Sequence, residues 1–392
     1  MTEDWQKGGF GLYVHWPFCE AKCPYCDFNS HVTREIDHAR WQRAYLSELR
    51  RIATLVPGRS LGSVYFGGGT PSLMDPGIVD AILTEARRFW PTANDPEITL
   101  EANPGSVEAG RFSEFAAAGI NRVSMGVQAL NDTDLRRLGR LHSVAEARQA
   151  FVIARQYFDR VSFDMIYSRQ DQTRAAWREE LTEALGMAVD HLSAYQLTIE
   201  PGTAFGARRA AGGLRGLPSD DKAADMYMDT QEICEKAGLP AYEISNHARP
   251  GSESRHNLVY WRYGDYAGIG PGAHGRLTIS GIRHATEQWS NPEHWLTAAE
   301  TGSADKEATP IPPVDQANEY LMMGLRIRDG IDPTRYEMLA GHALDTETLS
   351  YLSDLDMIVA DNRNLRVTER GRPLLNAIVT ELLTASPDTE AV

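Results

Sequence analysis

Residues 11–30 read GLYVHWPFCEAKCPYCDFNS, and the rest of the chain is best understood from this stretch. It begins with an apolar, β-branched and aromatic run from Gly11 to Trp16, breaks at Pro17, and then places Cys19, Cys23 and Cys26 within eight residues. The other 372 positions hold only one more cysteine, Cys234. Chance would set three cysteines at fixed positions roughly once in a million at a given start, so the thiols belong together. In a reducing compartment such a cluster favours metal ligation over disulfides. A Cys-x3-Cys-x2-Cys loop can wrap three thiolates around a cubane iron–sulfur cluster and leave its fourth iron without a protein ligand. Zinc is the alternative, because His31 lies five residues after Cys26 and would complete a Cys3His set.

Further along the chain, five more apolar stretches repeat the pattern of the first: SVYFGGG from Ser63, EITLEAN from Glu97, RVSMGVQ from Arg122, RVSFDMIY from Arg160 and HLSAYQLTI from His191. Amphipathic segments at 35–56, 75–90, 106–118, 143–157 and 173–188 separate them. This alternation predicts six βα units and a parallel sheet, closed as a partial barrel or open and doubly wound. Either arrangement gathers chemistry at the C-terminal ends of the strands. The cysteines, the GGGTP turn (67–71), Glu101 with Asn103, Gln128 and Asp164 all fall at or near such ends. Two-residue alternation puts Tyr13 and His15 on one face of the first strand. In GGGTP the glycines let backbone approach a ligand, and Thr70 is placed to cap the next helix.

Past residue 205 the pattern changes. A Gly-rich stretch leads to a helix near 220–238, on whose apolar stripe Cys234 reads as a core thiol beside Met226, Tyr227 and Ile233, and then to a loop-rich segment, 242–300. TPIPP (309–313) reads as a linker, and the tail from 314 as helices followed by two short strands in MIVADNRNLRVT. The expected organisation is a barrel over 1–205, a loop-rich helical extension over 206–308, and a small winged-helix-like α+β domain over 309–392, ending in a frayed ASPDTEAV. That last domain has seven Arg, no Lys and fourteen acidic residues from 314 onward, and the whole chain carries a formal charge of −15. Nucleic-acid binding is therefore not expected, and a lid or packing role is. GPGAHG (270–275) mimics a dinucleotide-binding string, but no apolar strand is expected before it and no helix after it. No apolar run approaches the ~20 residues of a membrane span. MTEDWQKGGF lacks the basic and apolar regions of a secretory signal, so the expected location is the cytoplasm.

YVHWPFCEAKCPYCDF resembles the signature of the radical S-adenosylmethionine (SAM) superfamily. Followed in order by GGGTP, LEANPG, GVQ, DMIY, YEISN, ESRHNLVYW and GIGPGAHGR, it resembles more narrowly the oxygen-independent coproporphyrinogen III oxidase-like family. The tail is similar to that family's C-terminal domain, so the likeness covers nearly the whole chain. The resemblance implies a partial (β/α)6 radical SAM barrel with the small C-terminal domain. It also implies a 4Fe–4S cluster on Cys19, Cys23 and Cys26, with SAM chelating the free iron and its C–S bond cleaved to give a 5′-deoxyadenosyl radical. It places SAM among Tyr13, Gly68, Gly69, Thr70, Glu101, Gln128, Arg140 and Asp164. After DMIY this chain departs from the family, continuing SRQDQ, which puts the shape of that loop in question.

Within the family, the true oxidases carry a further cysteine two residues after the third and a longer N-terminal extension. Here that position is Phe28, and the first cluster cysteine comes at 19. Both features resemble the haem-chaperone branch, HemW, which also carries H-N-x-x-Y-W, present here as His256, Asn257, Tyr260 and Trp261. The resemblance implies haem as cargo, with His256 as iron ligand (His247 and His274 in reserve) and delivery to an acceptor protein such as a respiratory haem enzyme. The competing enzymatic expectation is radical SAM oxidative decarboxylation of coproporphyrinogen III in porphyrin biosynthesis. No dedicated feature supports another radical SAM activity such as methyl transfer. Reduced flavodoxin or ferredoxin as electron donor, a homodimer and peripheral membrane contact are compatible with the same resemblance.

Overall fold

A computed structural model describes residues 3–33, 35–106, 109–361 and 363–384. The ASPDTEAV end lies outside the described residues. The six expected strands form: β1 (Phe10–Trp16), β2 (Leu61–Gly68), β3 (Thr92–Ala102), β4 (Arg122–Gln128), β5 (Arg160–Tyr167) and β6 (His191–Gln196). They pair in that order, all parallel. Between them run α1 (His38–Leu55), α2 (Pro76–Phe89), α3 (Ala109–Ala118), the short α4 (Asp132–Arg137), α5 (Val144–Tyr157) and α6 (Arg174–Met187). Their starts are set locally. Asp37, Asp75 and Thr173 accept backbone N–H bonds at the helix entries, and Ser143 with Glu146 forms a reciprocal capping box.

The sheet does not stop at six strands. Residues 206–308, expected as a loop-rich helical extension, supply helices α8 (Asp220–Lys236), α9 (Arg255–Trp261) and α10 (Pro292–Thr301), following α7 (Ala204–Ala210). They also supply the strands β7 (Asn246–Ala248), β8 (Asp265–Ile269), β9 (His274–Ile279), β10 (Ile282–Gln288) and, running past 308, β11 (Asp305–Pro310). The resulting eleven-stranded order is β11-β10-β9-β8-β1-β2-β3-β4-β5-β6-β7. β8 lies parallel to β1, whereas β9, β10, β11 and β7 are antiparallel to their neighbours. TPIPP is therefore not a free linker, because Thr309 and Pro310 end β11, paired with Ala285 and His284. α10 holds this added edge to the barrel by stacking Trp295 on Trp41 of α1, ring centroids 5.4 Å apart.

α11 (Pro313–Gly324), α12 (Pro333–Ala340), α13 (Thr346–Asp354), the hairpin β12 (Ile358–Ala360) and β13 (Leu365–Val367), and α14 (Leu375–Thr384) make the small C-terminal unit. It has its own core around Leu321, Tyr336, Leu352 and Leu365. Arg335 docks it by a two-pronged pairing with Asp4, both distances 2.8 Å. Among the described residues no helix is long and apolar enough to cross a membrane.

Candidate functional site at the mouth of the barrel

The C-terminal ends of β1–β6 surround a cavity of about 900 Å³. Cys19, Cys23, Cys26, Gly68, Gly69, Thr70, Glu101, Gln128, Arg140 and Asp164 all line it. Ten residues spread over most of the barrel sequence thus meet in one place, as the strand-end rule requires.

The thiol loop is braced from both sides. Asn29, just past Cys26, donates its side-chain N–H groups to the carbonyls of Pro271 and Ser290, both at 2.8 Å. Pro271 belongs to GPGAHG, which follows a strand after all, since β8 ends at Ile269; a strand rather than a helix comes next, so the dinucleotide geometry is absent. The role of its glycines is close packing. Gly270 has φ +112°, and a Cβ there would lie 2.2 Å from the His15 carbonyl oxygen. Gly68 (φ +113°) likewise lets the β2 turn pass over His15 while its N–H donates to Glu101, 3.3 Å away. Thr70 does not cap the short helix that follows; its hydroxyl points at the Cys19 sulfur, 3.5 Å away.

The three cysteines are unpaired and partly exposed, and burial raises the thiol pKa of Cys19 and Cys26. Metal coordination would reverse that shift. Among the described residues no three His, Cys, Asp or Glu side chains draw together tightly enough for a single ion, and His31 Nε2 is turned to Asn29 Oδ1 at 3.0 Å. The donor set fits a multi-iron cluster better than a mononuclear Cys3His site. Arg140 donates to the Cys23 sulfur (3.3 Å), to Asn103 Oδ1 (3.0 Å) and to the Gly126 carbonyl (2.9 Å), while its buried Nε has no partner.

Glu101 accepts a bond from the Tyr65 hydroxyl at 2.8 Å, and Asp164 one from Ser124 at 3.4 Å. Burial pushes the Glu101 carboxyl up to about 7 and Asp164 to about 6. Neither has a cation within ion-pair distance among the described residues, so a cationic ligand carrying hydroxyl groups would relieve both. Gln128 closes the adjoining wall at φ +72°, where a bulge interrupts β4.

Two expected groups lie elsewhere. Tyr13 does not line the cavity; its hydroxyl pairs with His15 Nδ1 at 3.0 Å, and its ring stacks near Tyr65. The HNLVYW segment forms α9, which plugs the opposite, N-terminal end of the barrel. His256 is 1% exposed, with Nδ1 paired to Ser63 Oγ (2.9 Å) and Nε2 to Tyr260 Oη (2.6 Å). Ser63 stands five residues below Gly68 on β2, which at the usual strand rise is roughly 16 Å from the mouth. The rings of Tyr65 and Tyr13 lie between His256 and the cavity. None of His256, Asn257, Tyr260 and Trp261 lines the cavity at the mouth. Of the reserve histidines, His247 is fully buried and His274 is exposed on the added edge.

Sequence reasoning missed the cavity's far contributors, Tyr195 on β6, Tyr227 on α8, and Arg326 and Arg372 from the C-terminal unit. No motif marks them.

A partial parallel barrel with a three-thiol loop at its mouth is the architecture of a radical SAM protein. Residues 13–181 match the model of the radical SAM superfamily and residues 311–374 that of the HemN C-terminal domain. The chain is 36% identical to "Heme chaperone HemW" of Escherichia coli over 94% of this chain and 96% of that one. It is 36% identical to "Radical S-adenosyl methionine domain-containing protein 1, mitochondrial" of Bos taurus over 95% and 87%. The solved coproporphyrinogen III oxidase HemN of E. coli superposes with a TM-score of 0.80 at 24% identity, over 96% of this chain and 90% of that one. The chain belongs to the oxygen-independent coproporphyrinogen III oxidase-like family of the radical SAM superfamily, in the branch of the haem chaperones HemW. Membership implies a 4Fe–4S cluster and SAM.

Proposed function

We propose that the chain is a haem chaperone, which takes haem into the cavity beside a SAM-bound 4Fe–4S cluster and passes it to an acceptor protein, a respiratory haem enzyme being the expected recipient. The observation that carries this reading is Phe28. It stands where the oxidases have a further cysteine, and it is 59% exposed at the lip of the cavity. An apolar ring there suits the edge of a macrocycle and offers no ligand or acid–base group for decarboxylation.

In this reading Cys19, Cys23 and Cys26 hold the cluster, and Gly68, Gly69 and Thr70 present backbone and hydroxyl to the amino end of SAM. Glu101 and Asp164 take its hydroxyl-bearing, cationic portion, and Gln128 and Arg140 its remaining polar groups. When bound, the cluster and SAM supply one-electron chemistry. His256 stacks beneath Tyr65 and supports the cavity floor without ligating the haem iron.

The test is anaerobic cluster reconstitution with SAM, followed by haem titration and by an assay with coproporphyrinogen III on the same sample. Tight haem uptake without protoporphyrinogen formation is expected. Turnover would establish the oxidase reading instead.

A further inference from the structure

The C-terminal unit contributes a wall to the cavity, and that wall carries two arginines. Arg326 follows α11, and Arg372 sits in the turn before α14. Other arginines of this half of the chain are matched. Arg328, two residues from Arg326, faces Glu235 at 3.4 Å; Arg335 grips Asp4; Arg276 grips Glu319 at 2.8 Å. Arg326 and Arg372 have no carboxylate within 4 Å among the described residues. Arg372 Nη1 is buried and faces no carboxylate, and the Tyr227 hydroxyl on the same wall lies against the Arg372 guanidinium. Two guanidinium groups without a carboxylate partner on one cavity wall, in a chain with a formal charge of −15, mark a place shaped for an anion from outside.

The rest of the cavity has the opposite character. Glu101, Asp164, Glu200 and Asp220 line it, so a dianion cannot sit at random inside. Its carboxylates are repelled from the barrel side and attracted to the C-terminal wall, while an apolar edge is received by Phe28.

We propose that Arg326 and Arg372 form a carboxylate clamp that grips the two propionates of the bound macrocycle and fixes its orientation in the cavity. This deepens the haem reading and rests on it. It also gives the C-terminal unit a direct binding role beyond packing. Guanidinium–carboxylate pairs at a partly buried site are short and geometrically selective, so the clamp distinguishes a free acid from its ester.

The test uses the cluster-reconstituted full chain and compares haem with haem dimethyl ester, which keeps the ring and iron but lacks the carboxylates. The wild type should prefer the free acid by about 100-fold, and the R326M/R372M double variant by less than about 3-fold, with each single variant near the middle. The ester's own affinity, the cluster absorbance and the melting temperature should be the same in variant and wild type, which separates lost recognition from lost folding. R326K/R372K should restore part of the preference, since charge returns without the planar fork. Equal wild-type affinity for acid and ester, or an undiminished preference in the double variant, overturns the clamp and leaves the haem reading standing. A wild type that takes up neither haem nor metal-free protoporphyrin overturns the haem reading itself.

Discussion

The two ends of the barrel are built from the same kinds of residue and behave as opposites. At the base, Glu97 faces Arg122 (3.3 Å) and Arg160 (2.9 Å) and accepts the His256 backbone N–H (3.2 Å). Burial pushes the Glu97 carboxyl up, but those arginines outweigh it and hold its pKa below the ordinary range. Both nitrogens of His256 are engaged. At the mouth, Glu101 and Asp164 have hydroxyl donors but no paired cation, and the buried Arg140 Nε stands without a partner. A buried polar group left unmatched costs stability, and a chain tolerates that cost where a ligand completes the set. At the base the chain itself matches the charged groups, with the Trp261 indole N–H on α9 left unpartnered; at the mouth the matching is left to what binds there. Substitutions at the mouth should therefore alter binding, and those at the base should alter stability.

The largest effect is expected at the thiol loop. Cys23→Ser should abolish the iron–sulfur absorbance after reconstitution, while the far-ultraviolet circular dichroism stays that of the wild type. A full cluster spectrum in this variant would remove the mouth from the comparison. At the base, Glu97→Gln leaves the buried Arg122 without its countercharge, and loss of one partner from a buried pair costs about 3–5 kcal/mol. Denaturant unfolding should show that loss, and an unchanged midpoint would mean the network is solvated.

His256→Ala tests the comparison most directly. The substitution leaves the hydroxyls of Ser63 and Tyr260 unpartnered and opens a void beneath Tyr65, so about 2–3 kcal/mol of stability should go. Haem affinity should stay within about twofold, as for sites that do not touch. The reverse pattern, lost haem binding with stability intact, would mean that α9 leaves the base and carries His256 to the cargo.

The sequence shows some of this and hides the rest for definite reasons. The six parallel strands are buried on both faces and so read as near-continuous apolar runs. The added edge does not read that way. DKEATP faces water and IRHATEQ buries polar residues (Arg283, Thr286 and Gln288), so these antiparallel strands look like loops. The thiol loop announces itself by spacing, and Glu101 and Asp164 by ending strands. H-N-x-x-Y-W is equally visible as a string. Which end of the barrel receives it depends on how α9 packs against β1, β2 and β8, and that is a tertiary fact. Arg326 and Arg372 join the cavity only because the C-terminal unit docks beside it, and neither lies in a motif.

The smallest predicted effect is a pH dependence located at the mouth. The Glu101 carboxyl is raised from 4.5 to about 7 by burial, with the Asp164 charge adding to the rise. Between those values the folded chain keeps a proton that the unfolded chain has released, so stability falls as pH rises through that window. The amide of Glu101→Gln mimics the protonated acid at every pH. In the ligand-free protein the variant should melt about 2–4 °C above the wild type at pH 8 and together with it at pH 4.5. SAM should raise the wild-type melting temperature at pH 8 more than that of the variant, because a cationic ligand relieves the carboxylate and does nothing for the amide. At the base the sign is opposite. His256 is lowered to about 3, with burial the chief cause, so its contribution is complete above the ordinary histidine range and is lost as pH falls toward 3. Melting curves across pH 4–8 should thus show E101Q diverging from the wild type on the alkaline side and His256→Ala converging with it on the acid side. If both variants shifted in the same direction at the same pH, the two ends would form one electrostatic unit, and the division between a finished base and an unfinished mouth would not hold.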